Sequence, residues 1–505
     1  MNISRRWFIG GLSSFGAFGG CRMFCDPTGT YASGKPRVSF GVVSDIHFAI
    51  NAKGDGLYQS HDPATFIHAL EWFRDQGVDG VMVAGDMADM GTVLELQGVA
   101  DAWYKVFPND KAPDGRKVEK LFVMGNHDWE GCFYGDRIKK IWPDKDVFAR
   151  NVIRTDMKGN WERIFNEPYA PIYRKEINGY AFVGAHWTQF GCRGRNEQGI
   201  AGVEEYFAAN GGKIDPSLPF FYFQHPHPQH SCHGNTVWGQ DDGRATRALT
   251  PFSNAIAFSG HSHNSLTDEK AIWQGAFTSL GTSSLRYTAV SARPEVPYGY
   301  EDGNSVAKFD PYKAMGHFSG GDGRQGYLVR VYDDCVTFSR RDFVYDQSLG
   351  ADWVLPLPAA ESKPFAYTAR AAKAKAPGFA PDAALTVKKA RGKNRGSRAK
   401  DGVNVPKVEK DVFKVSWPAA LAVAGARPYA YEVTVETKDG KKNVHYVTAS
   451  GFNMATDHKK AQARTVCTLA CDRLPEGEFR FCVAPLDSFN KKGAALTSAW
   501  VSTKG

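Results

Sequence analysis

Along the first two thirds of the chain, short apolar runs recur, and each ends in a polar cluster. The runs are "RVSFGVVSD" (37–45), "GVDGVMVAGD" (77–86), "VEKLFVMGN" (118–126), "YAFVGAHW" (180–187), "FFYFQHPHP" (220–228) and "NAIAFSGHSH" (254–263). They read as short apolar strands, each paired with a polar terminus. Between the first two, "DPATFIHALEWFRDQG" (62–77) spaces Phe66, Ile67, Leu70 and Phe73 for one face of a helix. Asp62 is its expected N-cap and Gly77 its C-cap. Strand, helix and strand in this order predict an α/β sheet whose polar groups gather at the carboxyl ends of its strands.

From about residue 351 the pattern changes. Residues 351–404 are rich in Ala, Pro and Lys and read as a linker or extended wrap. Residues 405–505 alternate apolar and polar positions at strand period, in "VFKVSWPAA", "YAYEVTVETK", "NVHYVTASG" and "EFRFCVAPLDS". They predict a small antiparallel β-sandwich, and "GEFRFCVAPLDSFNKKG" is similar to a fibronectin type III module. The expected division is therefore 1–20, 37–350, 351–404 and 405–505. A chain of 505 residues is too long for one core. At 42% hydrophobic and 23% charged residues, general disorder is excluded.

The first residues are set apart from the fold. "SRRWFIGGLSSFGAFGGC" places Arg5 and Arg6 ahead of a short apolar stretch, and resembles a twin-arginine export signal. The closing "FGGC" resembles a lipobox, with Cys21 as the lipid-anchored residue, although Leu is more usual where Phe18 stands. A periplasmic or membrane-anchored product is expected. Without residues 1–20 the formal charge falls from +8 to +6. Much of that excess lies in "KKARGKNRGSRAK" (388–400), which has no aromatic interleaving and reads as a solvated loop. No nucleic-acid partner is expected. The nine cysteines form no Cys-x-x-Cys pair, and export makes a disulfide among Cys467, Cys471 and Cys482 possible.

The strand termini hold the chemistry. Asp45 and His47 lie in "SDIHF", Asp86 in "AGDMAD", and Asn126, His127 and Asp128 in "GNHDW". His225 lies in "FQHPHP", and His261 and His263 in "SGHSHN". Taken alone, Asn and Asp after a strand suggest a cap or turn. The D-x-H and H-x-H spacings suggest instead pairs that point the same way on an extended chain and converge on an ion. Carboxylate, imidazole and amide oxygen together suit iron, zinc or manganese.

This ordered set over residues 37–285 resembles the calcineurin-like metallophosphoesterases. The resemblance implies a four-layer α/β/β/α sandwich, with two facing mixed sheets flanked by helices. It implies two metal ions and a phosphate-ester substrate attacked by a metal-bridging hydroxide. Asp45, His47 and His263 would hold one ion, Asp86 would bridge, and Asn126, His225 and His261 would hold the other. His127 would act on the substrate, with Asp128 orienting it. The family's fourth block usually reads His-x-Pro, whereas "QHPHPQH" offers both His225 and His227. His186, His227, Trp129 and Trp238 are candidate substrate contacts, with Trp187 as a further stacking face. Pyrophosphate hydrolysis, of nucleotide or lipid-linked substrates, and a surface binding role with an inert domain are the alternatives. No ligand block falls in 405–505, so the chemistry is expected to be complete without them.

Overall fold

The computed structural model describes residues 34–57, 62–130, 135–188, 200–233, 239–290, 318–319, 323–393, 409–423, 427–455 and 463–504. The expectations placed on Arg5, Arg6, Cys21 and Trp238 lie outside the described residues. Among the described residues, no helix is long and apolar enough to cross a membrane.

Two mixed sheets face each other. In the first, β1 (Val38–Val43), β2 (Gly80–Ala84) and β3 (Glu119–Val123) run parallel. Strand Gln325–Val331 adds antiparallel to β1 and leads on to Cys335–Asp342, Gln347–Ser348 and Trp353–Pro356. In the second sheet the order is β4 (Ile172–Ile177), β5 (Tyr180–Ala185), β6 (Phe220–Phe223), β7 (Ala255–Ser259), then β9 (Thr278–Gly281) and β8 (Ile272–Gln274).

The continuous apolar runs are explained by layers on both sides. Phe40, Val42, Met82, Leu121 and Val123 of the first sheet share a core with Phe182, Phe221, Phe223, Ile256 and Phe258 of the second. Phe40 meets Phe182 and Phe221 edge-on, with ring centroids 5.1 and 4.8 Å apart. The outer face of the first sheet is covered by α1 (Asp62–Asp75) and α2 (Val93–Val106), where Phe66, Leu70, Phe73, Leu96 and Trp103 are fully buried. The outer face of the second is covered by helices Val203–Asn210 and Arg244–Leu249. The fold is thus α/β/β/α, as the resemblance implied.

Beyond it lies an all-β region of two antiparallel sheets that share one core, built from Phe413, Val415, Trp417, Tyr431, Val433, Phe479 and Phe481. It starts earlier than residue 405. Strand Thr386–Lys393 pairs along its whole length with Glu409–Pro418. The first half of the basic run is therefore an edge strand and not a loop, an arrangement that blunts strand-to-strand association through its lysines. Cys467, Cys471 and Cys482 are free thiols in this structure.

Candidate metal centre

Past their last ladder bonds, the segments following β1 and β2 stay paired. Asp45 N–H donates to the Gly85 carbonyl at 3.0 Å, His47 N–H to Asp86 at 3.0 Å and Phe48 N–H to Met87 at 2.9 Å. This zipper sets Asp45 and His47 against Asp86. From the second sheet, Gly260 N–H donates to the His225 carbonyl, and His261 N–H reaches the Asp45 carboxylate at 3.1 Å. Both sheets therefore deliver side chains to one point at their carboxyl edges.

The backbone there is not extended. Asp45, His47, Asp86, His261 and His263 have φ of 52°, 50°, 51°, 71° and 55°. Non-glycine residues in this left-handed region are uncommon, and their clustering marks functional strain. The D-x-H and H-x-H pairs converge because both members adopt left-handed turns, which replaces the strand-alternation rationale. Two glycines in the blocks are explained by closeness. A Cβ at Gly125 would lie 2.2 Å from Asp86 Oδ1, and one at Gly260 would lie 2.4 Å from Asp45 Oδ2.

Two fully buried groups of donors result, and a third, more open one joins His47, Asp89 and His127. Ligand atoms of Asp45, His47 and His263 lie within 4.8 Å of one another, as do those of Asp86, His225 and His261. Asp45 Oδ1 is 2.9 Å from His263 Nε2, and Asp86 Oδ2 is 3.0 Å from His225 Nε2. His47 Nε2 stands 3.8 Å from Asp86 Oδ2, so the groups are adjacent. Imidazole nitrogens face each other, His47 Nε2 and His263 Nε2 at 3.3 Å and His225 Nε2 and His261 Nδ1 at 3.1 Å. Two ring lone pairs aimed at each other repel unless a proton or cation lies between them. The Asn126 side-chain oxygen is buried with no hydrogen-bond partner, a costly condition that a cation would relieve. Burial favours neutral carboxyls, but His263 and His225 outweigh it and hold Asp45 down to about 2. His225 and His127 likewise hold Asp86 well below the usual carboxylate range. Anionic carboxylates, imidazoles and an orphaned amide oxygen fit a pair of borderline divalent ions.

His227 is outside these groups. It is buried between Ser259 Oγ at 2.7 Å and Ser262 Oγ at 2.6 Å, so the geometry favours His225 for the fourth block.

His127 is the second residue of the short helix α3 (Asn126–Glu130). Its N–H donates to Asp86 Oδ1 at 2.9 Å, and its Nδ1 lies 2.7 Å from the Asp89 carbonyl. Because a carbonyl only accepts, Nδ1 carries a proton, and Nε2 is the nitrogen that gains or loses the second. Burial opposes protonation, yet the neighbouring Asp86 raises the His127 pKa overall. Asp128 does not orient this ring. Its carboxylate accepts from the backbone N–H of Ala88 at 2.6 Å, Gly125 at 2.8 Å and Met87 at 3.1 Å, which pins the loop after β2 to the loop after β3. Burial and Asp86 push its pKa up to about 7, against those three donors.

The group that addresses both histidines is Asp89, absent from the sequence expectations. Its carbonyl fixes His127, and its carboxylate oxygen lies 3.4 Å from His47 Nδ1. The only signal was a second Asp three residues after Asp86 in "GDMAD".

The other expected substrate contacts are mostly structural. His186 is buried, accepts from Met124 N–H at 3.1 Å and is ringed by Trp161, Tyr169 and Tyr173; burial takes its pKa down to about 3. Trp187 is 1% exposed, behind His225 and His261. Trp129 is half-buried against the outer core of the second sheet. An exposed aromatic at the centre is Tyr287, 44% accessible with its ring 4.4 Å from that of His263. Arg286, half-buried, precedes it, and burial, with the nearby Arg324 guanidinium adding to it, lowers its pKa.

Residues 38–265 match the calcineurin-like phosphoesterase family. No curated protein matches the chain. Among solved structures, a dimetal phosphatase from Danio rerio is similar at 14% identity, over 63% of this chain and 99% of its own, with a TM-score of 0.31. A purple acid phosphatase from yellow lupin (Lupinus luteus) seeds is similar at 16% identity, over 64% of this chain and 55% of its own, with a TM-score of 0.35. Vacuolar protein sorting 29 from Cryptosporidium parvum is similar at 10% identity, over 63% and 98%, with a TM-score of 0.26.

Proposed function

We propose that this chain, whose residues 38–265 match the calcineurin-like phosphoesterase family, is a hydrolase of phosphate esters, an exported, dinuclear enzyme acting on ring-bearing phosphodiesters. The observation that carries the dinuclear reading is the adjacency of the two buried donor groups, together with the orphaned Asn126 oxygen. Asp45, His47 and His263 would hold one ion, and Asn126, His225 and His261 the other, with Asp86 shared. When bound, such a pair lowers the pKa of a shared water and offsets charge on the phosphoryl oxygens.

The chain's own residues do the rest. Asp89 holds His127 by Nδ1, so that the Nε2 proton is available to the departing ester oxygen. Asp128 fixes the two loops from which His127 and Asp86 project. Tyr287 offers an exposed face for a ring on the substrate, a contact worth about 0.5–1.5 kcal/mol beyond area burial. Iron, zinc and manganese all suit the donors.

Metal analysis and kcat/KM for an aryl phosphodiester, its monoester and a pyrophosphate, measured on one preparation, test the reading. Two ions per chain and a preference for the diester are expected. A preference for the monoester would overturn the substrate class and point to Arg286; a preference for the pyrophosphate would support the P–O–P alternative. Arg5, Arg6 and Cys21 support export and a lipid anchor. Replacing both arginines with lysine should retain the precursor in the cytoplasm.

A further inference from the structure

The all-β region reaches the metal centre through one turn. In residues 449–455, between two of its strands, Phe452, Asn453 and Ala455 are buried, Phe452 in the β-region's own core beside Tyr429. The Phe452 carbonyl accepts from Thr267 Oγ1 at 2.5 Å, and the Asn453 carbonyl from Gln325 Nε2 at 2.8 Å. The Asn453 side-chain amide donates to Thr288 Oγ1 at 3.2 Å. From within its own region, Arg427 braces the turn by donating to the carbonyls of Phe452 and Met454 at 2.9 and 2.8 Å.

These contacts converge on one strap, residues 283–288. Its first residue, Ser283, donates to Gln325 Oε1 at 3.3 Å; the same oxygen accepts from Leu266 N–H at 2.8 Å, three residues past His263. Its last residue, Thr288, is the one Asn453 holds. Between them, Ser284 Oγ donates to the Asp45 carbonyl at 3.0 Å, and the Tyr287 carbonyl accepts from His263 Nδ1 at 3.1 Å. The strap therefore grips two of the three donors of one group. In the other group, His225 is set by a different element, its Nδ1 lying 2.8 Å from the Ala84 carbonyl.

We propose that the C-terminal β-region is a positioning unit for one of the two metal sites. Asn453, acting through Thr288 and the Tyr287 carbonyl, fixes the ring and tautomer of His263 in the Asp45–His47–His263 group. Partners that orient a ligating histidine typically change metal affinity by about 10–100-fold. This inference rests on the dinuclear reading and concerns the asymmetry between its halves.

The test uses the full chain loaded with Zn²⁺, in wild type, Asn453→Ala, Thr288→Val and the double variant. Zinc bound per chain is measured across buffered free-zinc concentrations, with thermal unfolding on the same samples. One site is expected to weaken tenfold or more in each single variant while the other is unchanged. The double variant should be no worse than the worse single, because both remove one hydrogen bond. Should Asn453→Ala fail to fold, the nearly isosteric Thr288→Val decides. Variants that bind both ions as wild type does, that weaken both sites equally, or that add in the double would overturn the inference. A wild type that binds fewer than two ions refutes the dinuclear reading instead.

Discussion

Asp128→Asn separates a clamp from an acid–base partner. In the wild type one carboxylate oxygen takes the Ala88 N–H, and the other takes those of Gly125 and Met87. Asparagine keeps one oxygen, so at best one bond is exchanged for an NH₂ group facing a buried N–H. Leaving one buried donor unmet costs about 1–3 kcal/mol. Relief of the repulsion between the Asp128 and Asp86 carboxylates, which raises the wild-type pKa, keeps the loss toward the lower end. For a unit of this size, each kcal/mol lowers Tm by about 2–4 °C. Asp128→Ala leaves all three donors unmet, and about 3–9 kcal/mol approaches the whole stability of a domain. Thermal unfolding, metal content and kcat are measured on the same preparation of Asp128→Asn. A lowered Tm and weaker metal retention are expected, with kcat within a few-fold of wild type once metal is in excess. An unchanged Tm and metal content with kcat down a hundredfold would refute the clamp, and make Asp128 the partner of His127 after all.

Asp86→Asn should lower metal content together with activity, because one shared anionic oxygen is lost; two ions per chain with normal turnover would contradict it. His127→Ala should cut kcat by about 10²–10⁴ with metal retained, and elemental analysis of the purified variant checks the second half. Glu95, whose oxygens accept from the N–H groups of Ile50, Met90 and Thr92, is pushed up to about 8 by burial. A carboxyl raised in the folded state costs stability once the unfolded form ionises. Its contribution should therefore worsen from pH 4.5 toward 8 and level off above, which Tm profiles of wild type and Glu95→Gln compare.

The strands and the donor blocks were legible because each rests on local pattern. Six apolar runs of strand length needed no knowledge of partners, and ligand-type residues stood directly after them. What was illegible depended on contacts between distant segments. Nothing in "VGAHWTQF" says that Trp161, Tyr169 and Tyr173 will enclose His186. The role of Asp128 is set by the amides of another loop, 40 and 41 residues away. At Asp45 and His47 the spacing anticipated the convergence for the wrong reason, since left-handed turns and strand pleats both aim residues i and i+2 together. The first half of the basic run could not be told from a loop in advance, because lysine-rich edges and lysine-rich loops share a composition.

The strap that grips His263 and Asp45 closes against a partner 165 residues further along the chain. During synthesis at about 5–20 residues per second, Asn453 follows Thr288 by roughly 8–30 s. Over that interval the nascent α/β domain can pair its strands and set His225 against Ala84, while the strap, held at Ser283 by Gln325, still lacks its contact at Thr288. On the positioning role proposed for Asn453, the Asp86–His225–His261 half gains its supports first, and the half built on His263 gains its last one only when the β-region docks. A chain broken off before Asn453 would keep both donor groups and lack the outer brace on Thr288.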